Sequence, residues 1–256
     1  MLRPRIIPFL LYRNKGLIKT FQFKNDKYVG DPLNAVKIFN EKEVDELIFL
    51  DIDCTKKSID PDYSLIEKLA RESRMPLCYG GGIKSVEQAV KIINLGVEKI
   101  AISSAVVNNP NLLKDISSII GVQSVVVVLD YKKVGFFNKR EIFINNGTVK
   151  TGLYLYDFIS MLNKNDYVGE LVINSIDNDG MSNGYDLKTI DEVRELFSGP
   201  LTVVGGAKDL NDIRELIFNH SLIGAGAGSA FVFKGKYKAV LINYPSAKEK
   251  FSLTKN

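Results

Sequence analysis

Short apolar runs recur along the whole chain: RIIPFLL (5–11), ELIFLDI (46–52), PLCYG (76–80), KIAIS (99–103), SVVVVLD (124–130), ELVINSI (170–176), PLTVV (200–204) and LIGAG (222–226). They are rich in β-branched residues and nearly continuous in apolar character. That is the pattern of strands buried on both faces. Between them the apolar positions change to helical spacing, as at Ala89, Ile92 and Ile93. Ser85 and Gln88 have the spacing of a capping box at the start of that helix. Asn109-Pro110 reads as an N-cap followed by proline at the first helical position. Eight strands alternating with helices predict an α/β fold, a (β/α)8 TIM barrel, in one domain over 1–256. The rival is a doubly wound open sheet, whose G-x-G-x-x-G after the first strand is absent.

The runs also repeat. ELIFLDID at 46–53 matches ELVINSID at 170–177, and PLCYGGGIK at 76–84 matches PLTVVGGAK at 200–208, both at the same offset. IIPFLLYRNKG at 6–16 pairs with VVVVLDYKKVG at 125–135. A period near half the chain is too long for a solenoid. It predicts two half-barrels, approximately 1–123 and 124–256. One position breaks the symmetry: the second half has Asp130 where the first has Leu11.

In a barrel, functional groups sit at the C-terminal ends of strands. Those ends carry Gly80-Gly81-Gly82, Ser103-Ser104, Gly205-Gly206 and Gly228-Ser229. Glycine lets backbone N–H groups approach an anion, serine adds a hydroxyl, and a helix N-terminus adds positive potential. Glycines also make tight strand–helix turns without any ligand. The same pairing in both halves favours two phosphate cradles facing each other, and hence a small-molecule ligand with a phosphate at each end. At the strand beginnings lie Arg5, Glu46, Lys99 and Glu170. From the pattern alone they read as a solvated rim. If buried, they must pair, because unpaired buried charge is costly.

Composition narrows the classes. The net charge of +4 is weak and the basic residues are mixed with acids, so nucleic acid is not a favoured partner. The two cysteines, Cys54 and Cys78, lack C-x-x-C spacing, which argues against a disulfide framework or structural zinc. They read as small apolar fillers. The single histidine, His220, closes a helical segment and reads as surface or capping. No metal or cofactor motif is present, so carboxylates and lysines would carry any chemistry. The first apolar run is too short to span a bilayer and lacks a signal cleavage pattern, which predicts a cytoplasmic protein without a membrane partner. The tail FKGKYKAVLINYPSAKEK reads as a last helical region.

Together RIIP at 5–8, GDP at 30–32, DELIFLDI at 45–52, GGGI at 80–83, LD at 129–130, TG at 151–152, SIDNDG at 175–180, GGA at 205–207 and GSAF at 228–231 resemble the cyclase subunit of imidazole glycerol phosphate synthase, the HisF family. A sugar isomerase of histidine synthesis shares the doubling but matches the first motifs less well. The resemblance implies that a HisH-like glutaminase docks at the barrel bottom. Its ammonia would pass a gate formed by Arg5, Glu46, Lys99 and Glu170 and rise through the core. The resemblance maps phosphate binding onto Gly81, Gly82, Ser103 and Ser104 in one half. In the other half it maps onto Asp179, Gly180, Gly205, Gly206, Gly228 and Ser229. It places Lys19 on a mobile loop that closes over substrate. It also implies two catalytic aspartates, of which Asp130 is present and the other is replaced by Leu11. Ser103-Ser104, Asn174 and Val204 also depart from the family's usual residues.

Leucine transfers no proton, and general acid–base catalysis typically contributes about 10²–10⁴-fold. An ammonia route with incomplete cyclisation chemistry resembles a HisF-like branch associated with surface-polysaccharide genes. There, ammonia is handed to a separate sugar amidotransferase that forms an acetamidino group. The alternatives are a histidine-pathway cyclase whose acid has moved to Asp51, Asp53 or Asp177, and a non-catalytic scaffold that activates the glutaminase.

Overall fold

The computed structural model describes residues 3–253. Eight parallel strands close a barrel: β1 (Arg5–Arg13), β4 (Leu47–Asp51), β5 (Leu77–Gly80), β6 (Lys99–Ile102), β7 (Val125–Val134), β10 (Glu170–Ser175), β11 (Leu201–Val204) and β12 (Gly224–Ala227). Pairing of β10 with β7 and of β1 with β12 shuts the ring. All eight predicted strands are present, with helices between them, so the barrel expectation holds over the open-sheet rival.

Strand parity divides the core. One set of side chains, including Leu10, Phe49, Tyr79, Leu129 and Ile173, packs outward against the helices. The alternate set, Ile7, Phe9, Ile48, Cys78, Ala101, Val126, Val128, Val172 and Val204, fills the lumen. Small residues on β12 are required here, because a Cβ on Gly224 would collide with Thr202 and one on Gly226 with Phe9. Both cysteines are free and buried, Cys78 in the lumen and Cys54 on the buried side of the helix Ile52–Lys57.

Six strands escaped the periodicity, four of them extending barrel strands. β2 (Gly16–Phe21) and β3 (Lys24–Gly30) form a hairpin on β1, while β8 (Lys139–Ile144) and β9 (Val149–Tyr154) extend β7. The loop expected around Lys19 is therefore a β-ribbon. β3 and β9 are largely exposed and polar, so they carry no apolar alternation to read. The Asn146-Gly147 pair between β8 and β9 was the available signal. Both residues adopt positive φ, as a tight hairpin turn demands.

Three local expectations are corrected. The capping box at Ser85 forms, with Gln88 N–H donating to Ser85 Oγ at 3.3 Å, but the Gln88 side chain reaches Lys84 N–H at 2.9 Å rather than the cap residue itself. The helix expected from Pro110 starts at Leu112, because Asn109 and Pro110 are spent in a turn. The tail is not continuously helical. Strands β13 (Phe233–Lys234) and β14 (Ala239–Val240) pair around Gly235, and only Ala247–Leu253 is helical. The left-handed Lys238 belongs to the turn of that hairpin, and proline at 245 lies between the hairpin and the helix. His220 does end the helix Leu210–His220, but its side chain is mostly covered and lies 3.3 Å from Asp191. Burial holds its pKa below the usual histidine range.

The tail is tied to the barrel by Lys250, which bonds the Glu43 carbonyl and Asp45, and by the Tyr244 hydroxyl. Tyr244 Oη donates to the Ile6 carbonyl at 2.8 Å, accepts from Asp45 N–H at 3.1 Å and lies 3.1 Å from the Asp45 carboxylate. Tyr244→Phe leaves these groups unsatisfied and should cost about 1–3 kcal/mol. Urea unfolding would measure it, and an unchanged midpoint would show that the tie is dispensable.

Candidate functional site

The first turns of four strands bring Arg5, Glu46, Lys99 and Glu170 together at the barrel floor. Both carboxylates are 3% exposed. Arg5 bonds to Glu46 and grips Glu170 with two contacts, at 2.7 and 3.2 Å. Lys99 Nζ lies 2.8 Å from Glu46 and 2.9 Å from Glu170. Thr202 Oγ1 donates to Glu170 at 2.5 Å. The two cations and two anions therefore close on themselves, and the solvated-rim reading fails. Burial pushes the Glu170 carboxyl up, but Arg5 and Lys99 outweigh it and hold it at about 2. Burial likewise opposes the charge on Lys99, and the two carboxylates reverse the effect and raise its pKa.

Above the ring the lumen is apolar as far as Phe9, Val128 and Val204. It opens into a pocket at the strand ends, lined by Leu11, Lys19, Asp51, Thr55, Gly80, Gly81, Gly82, Ser103, Ser104, Asp130, Asn146, Asn174, Asp179 and Gly228. Leu11 and Asp130 hold matching places on β1 and β7, and both face this space. The asymmetry noticed in the repeat is therefore an asymmetry of the pocket wall.

Asp130 is enclosed. Burial pushes its carboxyl up to about 7; the amide of Asn174, donating to Oδ1 at 2.9 Å, opposes the shift, and Asp179 adds to it. A carboxyl that titrates near neutral pH suits proton transfer in either direction. The Asn174 Oδ1 atom is buried and has no hydrogen-bond partner. Lys19, on β2, points inward, where its ammonium donates to the Phe9 carbonyl and lies against Gly228. Burial lowers its pKa to about 8, with Asp179 pulling the other way. Asp179 is itself raised by burial and accepts from the Thr20 hydroxyl at 3.2 Å.

The first-half residues expected to cradle an anion, Gly81, Gly82, Ser103 and Ser104, all line the pocket. Gly81 and Gly82 have positive φ, and a Cβ at either would strike Asp51 or Cys54. Close packing alone therefore requires glycine there. Ser103 precedes the short helix Ser104–Asn108 without capping it by a side-chain hydrogen bond, while its carbonyl accepts from the Val106 and Val107 N–H groups at 3.0 and 3.1 Å. Ser104 Oγ accepts from Asn145 N–H at 3.2 Å. The second half differs. Gly228 reaches the pocket, whereas Gly180, Gly205, Gly206 and Ser229 do not line it. Thr20 and Phe21 of the β2 ribbon lie against Gly180, and Gly184 packs on Gly206.

The three substitute acids are already engaged. Asp51 lines the pocket but accepts from Asp53 N–H at 3.0 Å and Cys54 N–H at 3.4 Å, capping a helix. Asp53 pairs with Lys57 at 2.7 Å and Arg13 at 3.3 Å. Asp177 accepts from Lys133 N–H at 2.9 Å. Sequence reasoning missed Thr55 and Asn146 as lining residues. Asn146 comes from the unforeseen β8–β9 turn, and its amide donates to the Ile52 carbonyl at 2.6 Å. Among the described residues no group of three or more His, Cys, Asp and Glu is placed to hold a metal, and no helix is long and apolar enough to cross a membrane.

Comparison with known proteins decides the family. The model of the family described as "Histidine biosynthesis protein" matches residues 5–238. The chain belongs to the HisF family of histidine biosynthesis proteins. It is 56% identical over 250 residues to "Putative imidazole glycerol phosphate synthase subunit hisF3" of Vibrio vulnificus, covering 98% of this chain and 96% of that one. A Leptospira borgpetersenii protein of similar name is 51% identical over 253 residues, covering 99% of both. "Imidazole glycerol phosphate synthase subunit HisF" of Natranaerobius thermophilus is 35% identical over 248 residues, covering 97% of this chain and 98% of its own. These similarities extend over nearly the whole chain.

Asp130 gives this HisF-family barrel a pH signature. Its pKa is higher folded than the ordinary carboxyl value, so the native state holds the proton more tightly. That contribution to stability is fullest at low pH and declines as pH rises through about 7. Asp130→Asn should therefore match the parent near pH 4 and exceed it by at least about 1 kcal/mol at pH 8. Paired denaturant titrations at the two pH values check this, and a variant that gains nothing at pH 8 contradicts it.

Proposed function

We propose that this chain is the ammonia-carrying synthase subunit of a two-protein glutamine amidotransferase of the imidazole glycerol phosphate synthase type. The closed, buried ring of Arg5, Glu46, Lys99 and Glu170, standing beneath an apolar lumen that ends at Asp130, carries this reading. A HisH-like glutaminase docks at the floor and releases ammonia there. Movement of the Lys99 side chain away from its two carboxylates opens the ring. The neutral molecule crosses the lumen, whose walls hold no charge. At the mouth, the Gly81-Gly82 turn and the Ser103-Ser104 helix start hold a phosphate of the ligand, and the Lys19 ribbon covers it. A scaffold that only activates its glutaminase has no use for such a cradle.

What accepts the nitrogen has two readings. The names of the relatives favour cyclisation in histidine biosynthesis, with Asp130 as one acid–base group. Leu11 favours the second: the apolar wall opposite Asp130 cannot complete a proton-transfer pair, and Asp51, Asp53 and Asp177 are committed elsewhere. In that reading ammonia leaves the mouth for a separate enzyme that amidinates a nucleotide sugar in surface-polysaccharide biosynthesis.

Supplying the histidine-pathway bisphosphate intermediate with excess ammonium separates the two. Leu11→Asp should raise turnover by roughly 10²-fold, the usual contribution of one general acid or base. Ready turnover by the parent chain, unimproved by the aspartate, would remove the second reading. The ring is tested apart from the acceptor. In the two-protein complex, Lys99→Ala should change nitrogen transfer from glutamine by tenfold or more relative to transfer from free ammonium. An unchanged ratio rules out the lumen as the route.

A further inference from the structure

The strand that carries Asp130 does not stop at the pocket. It continues as an antiparallel ribbon with β8, and its turn residues Phe136 and Phe137 are 94% and 81% exposed. Their rings meet edge to face with centroids 5.5 Å apart. Six residues of extended chain place this tip about 20 Å beyond Asp130, on the mouth side. Two adjacent phenylalanines left in water mark a contact surface more readily than a scattered apolar residue does.

The ribbon is held rather than loose. Close to its turn, the cross-strand pair Lys133 and Arg140 is anchored: Lys133 pairs with Asp186 at 3.0 Å, and Arg140 donates to Thr189 Oγ1 at 2.9 Å and lies 3.8 Å from Glu192. At its tip Asn138 N–H donates to the Gly135 carbonyl at 3.3 Å. A rigid aromatic tip loses little freedom on binding. The charge is also uneven. Lys133 and Arg140 are matched by carboxylates, whereas Lys132 and Lys139 have none within ion-pair distance among the described residues and lie over the rings of Phe143 and Tyr154.

We propose that the β7–β8 ribbon is a docking arm for an acidic protein surface with an apolar pocket, belonging to the enzyme that takes up nitrogen leaving the mouth. The inference rests on the second reading above. The position fits, because the arm stands at the end of the barrel opposite the charged ring. A partner here and a glutaminase at the floor can bind together. Phe136 and Phe137 would fill the pocket, and Lys132 and Lys139 would meet the acidic rim.

The test uses the assembled glutaminase complex and the purified acceptor enzyme, with binding followed by biolayer interferometry. Phe136→Ser with Phe137→Ser, and separately Lys132→Glu with Lys139→Glu, should each weaken binding at least tenfold. Glutamine-driven transfer to the acceptor should fall in step, while ammonium-driven transfer by the acceptor and activation of the glutaminase stay at parent levels. Undiminished binding by both variants overturns the inference, as does a parent complex that does not bind the acceptor at all. Attachment to phosphatidylglycerol vesicles in place of the acceptor, or self-association abolished by the serine pair, would assign the tip to a membrane or to a second copy instead. If the parent binds through the tip but passes no nitrogen from glutamine, the hand-off reading fails and the docking inference stands.

Discussion

Two carboxylates buried at the floor of the barrel set the terms for everything above them. Glu46 and Glu170 come from opposite sides of the ring, and each needs cations that neither strand can supply alone. Arg5 and Lys99 meet them only if four strands hold their registers at once. The cost of leaving any one charge unpaired in such a place is several kcal/mol. A floor built this way is closed by its own ion pairs. An apolar plug of the same volume would seal the barrel but offer nothing to displace. The lumen above is lined by apolar side chains up to the pocket.

At the upper end the two halves of the barrel part company. Asp130 keeps its proton to about neutral pH because it is enclosed and has a single amide partner. Its counterpart is Leu11, so the pocket has one titrating wall and one inert wall. Lys19 crosses above them with its ammonium against the Phe9 carbonyl. The mouth is therefore electrostatically lopsided, suited to holding an anion and moving one proton rather than relaying two.

The same construction appears twice around the rim. β1 and β7, related by the internal repeat, both overrun the barrel and turn back as ribbons. The first ribbon folds inward and packs Thr20 and Phe21 against Gly180 of the second half. The second stands outward and exposes two aromatic rings. One duplicated element thus serves as a cover in one half and a projection in the other. The difference follows from what each tip carries. Lys19, Thr20 and Phe23 of the first line the pocket, whereas Phe136 and Phe137 sit on an exposed turn.

The sequence by itself determined the barrel, its doubling and the identity of the chemical groups. Eight β-branched runs admit little but buried parallel strands, and the matched motifs place glycines and serines at strand ends in both halves. It also exposed the loss at position 11, because a repeat supplies its own reference. What it could not decide was how charges pair and where ribbons point. Arg5, Glu46, Lys99 and Glu170 look like a solvated rim until closure of the barrel brings residues more than a hundred positions apart into contact. Gly180 and Gly206 look like open cradles until a polar ribbon without periodicity packs on one of them and Gly184 on the other. Local pattern reports on burial along one strand. Pairing, occlusion and the pKa of an enclosed carboxyl depend on neighbours that only the closed tertiary structure assembles.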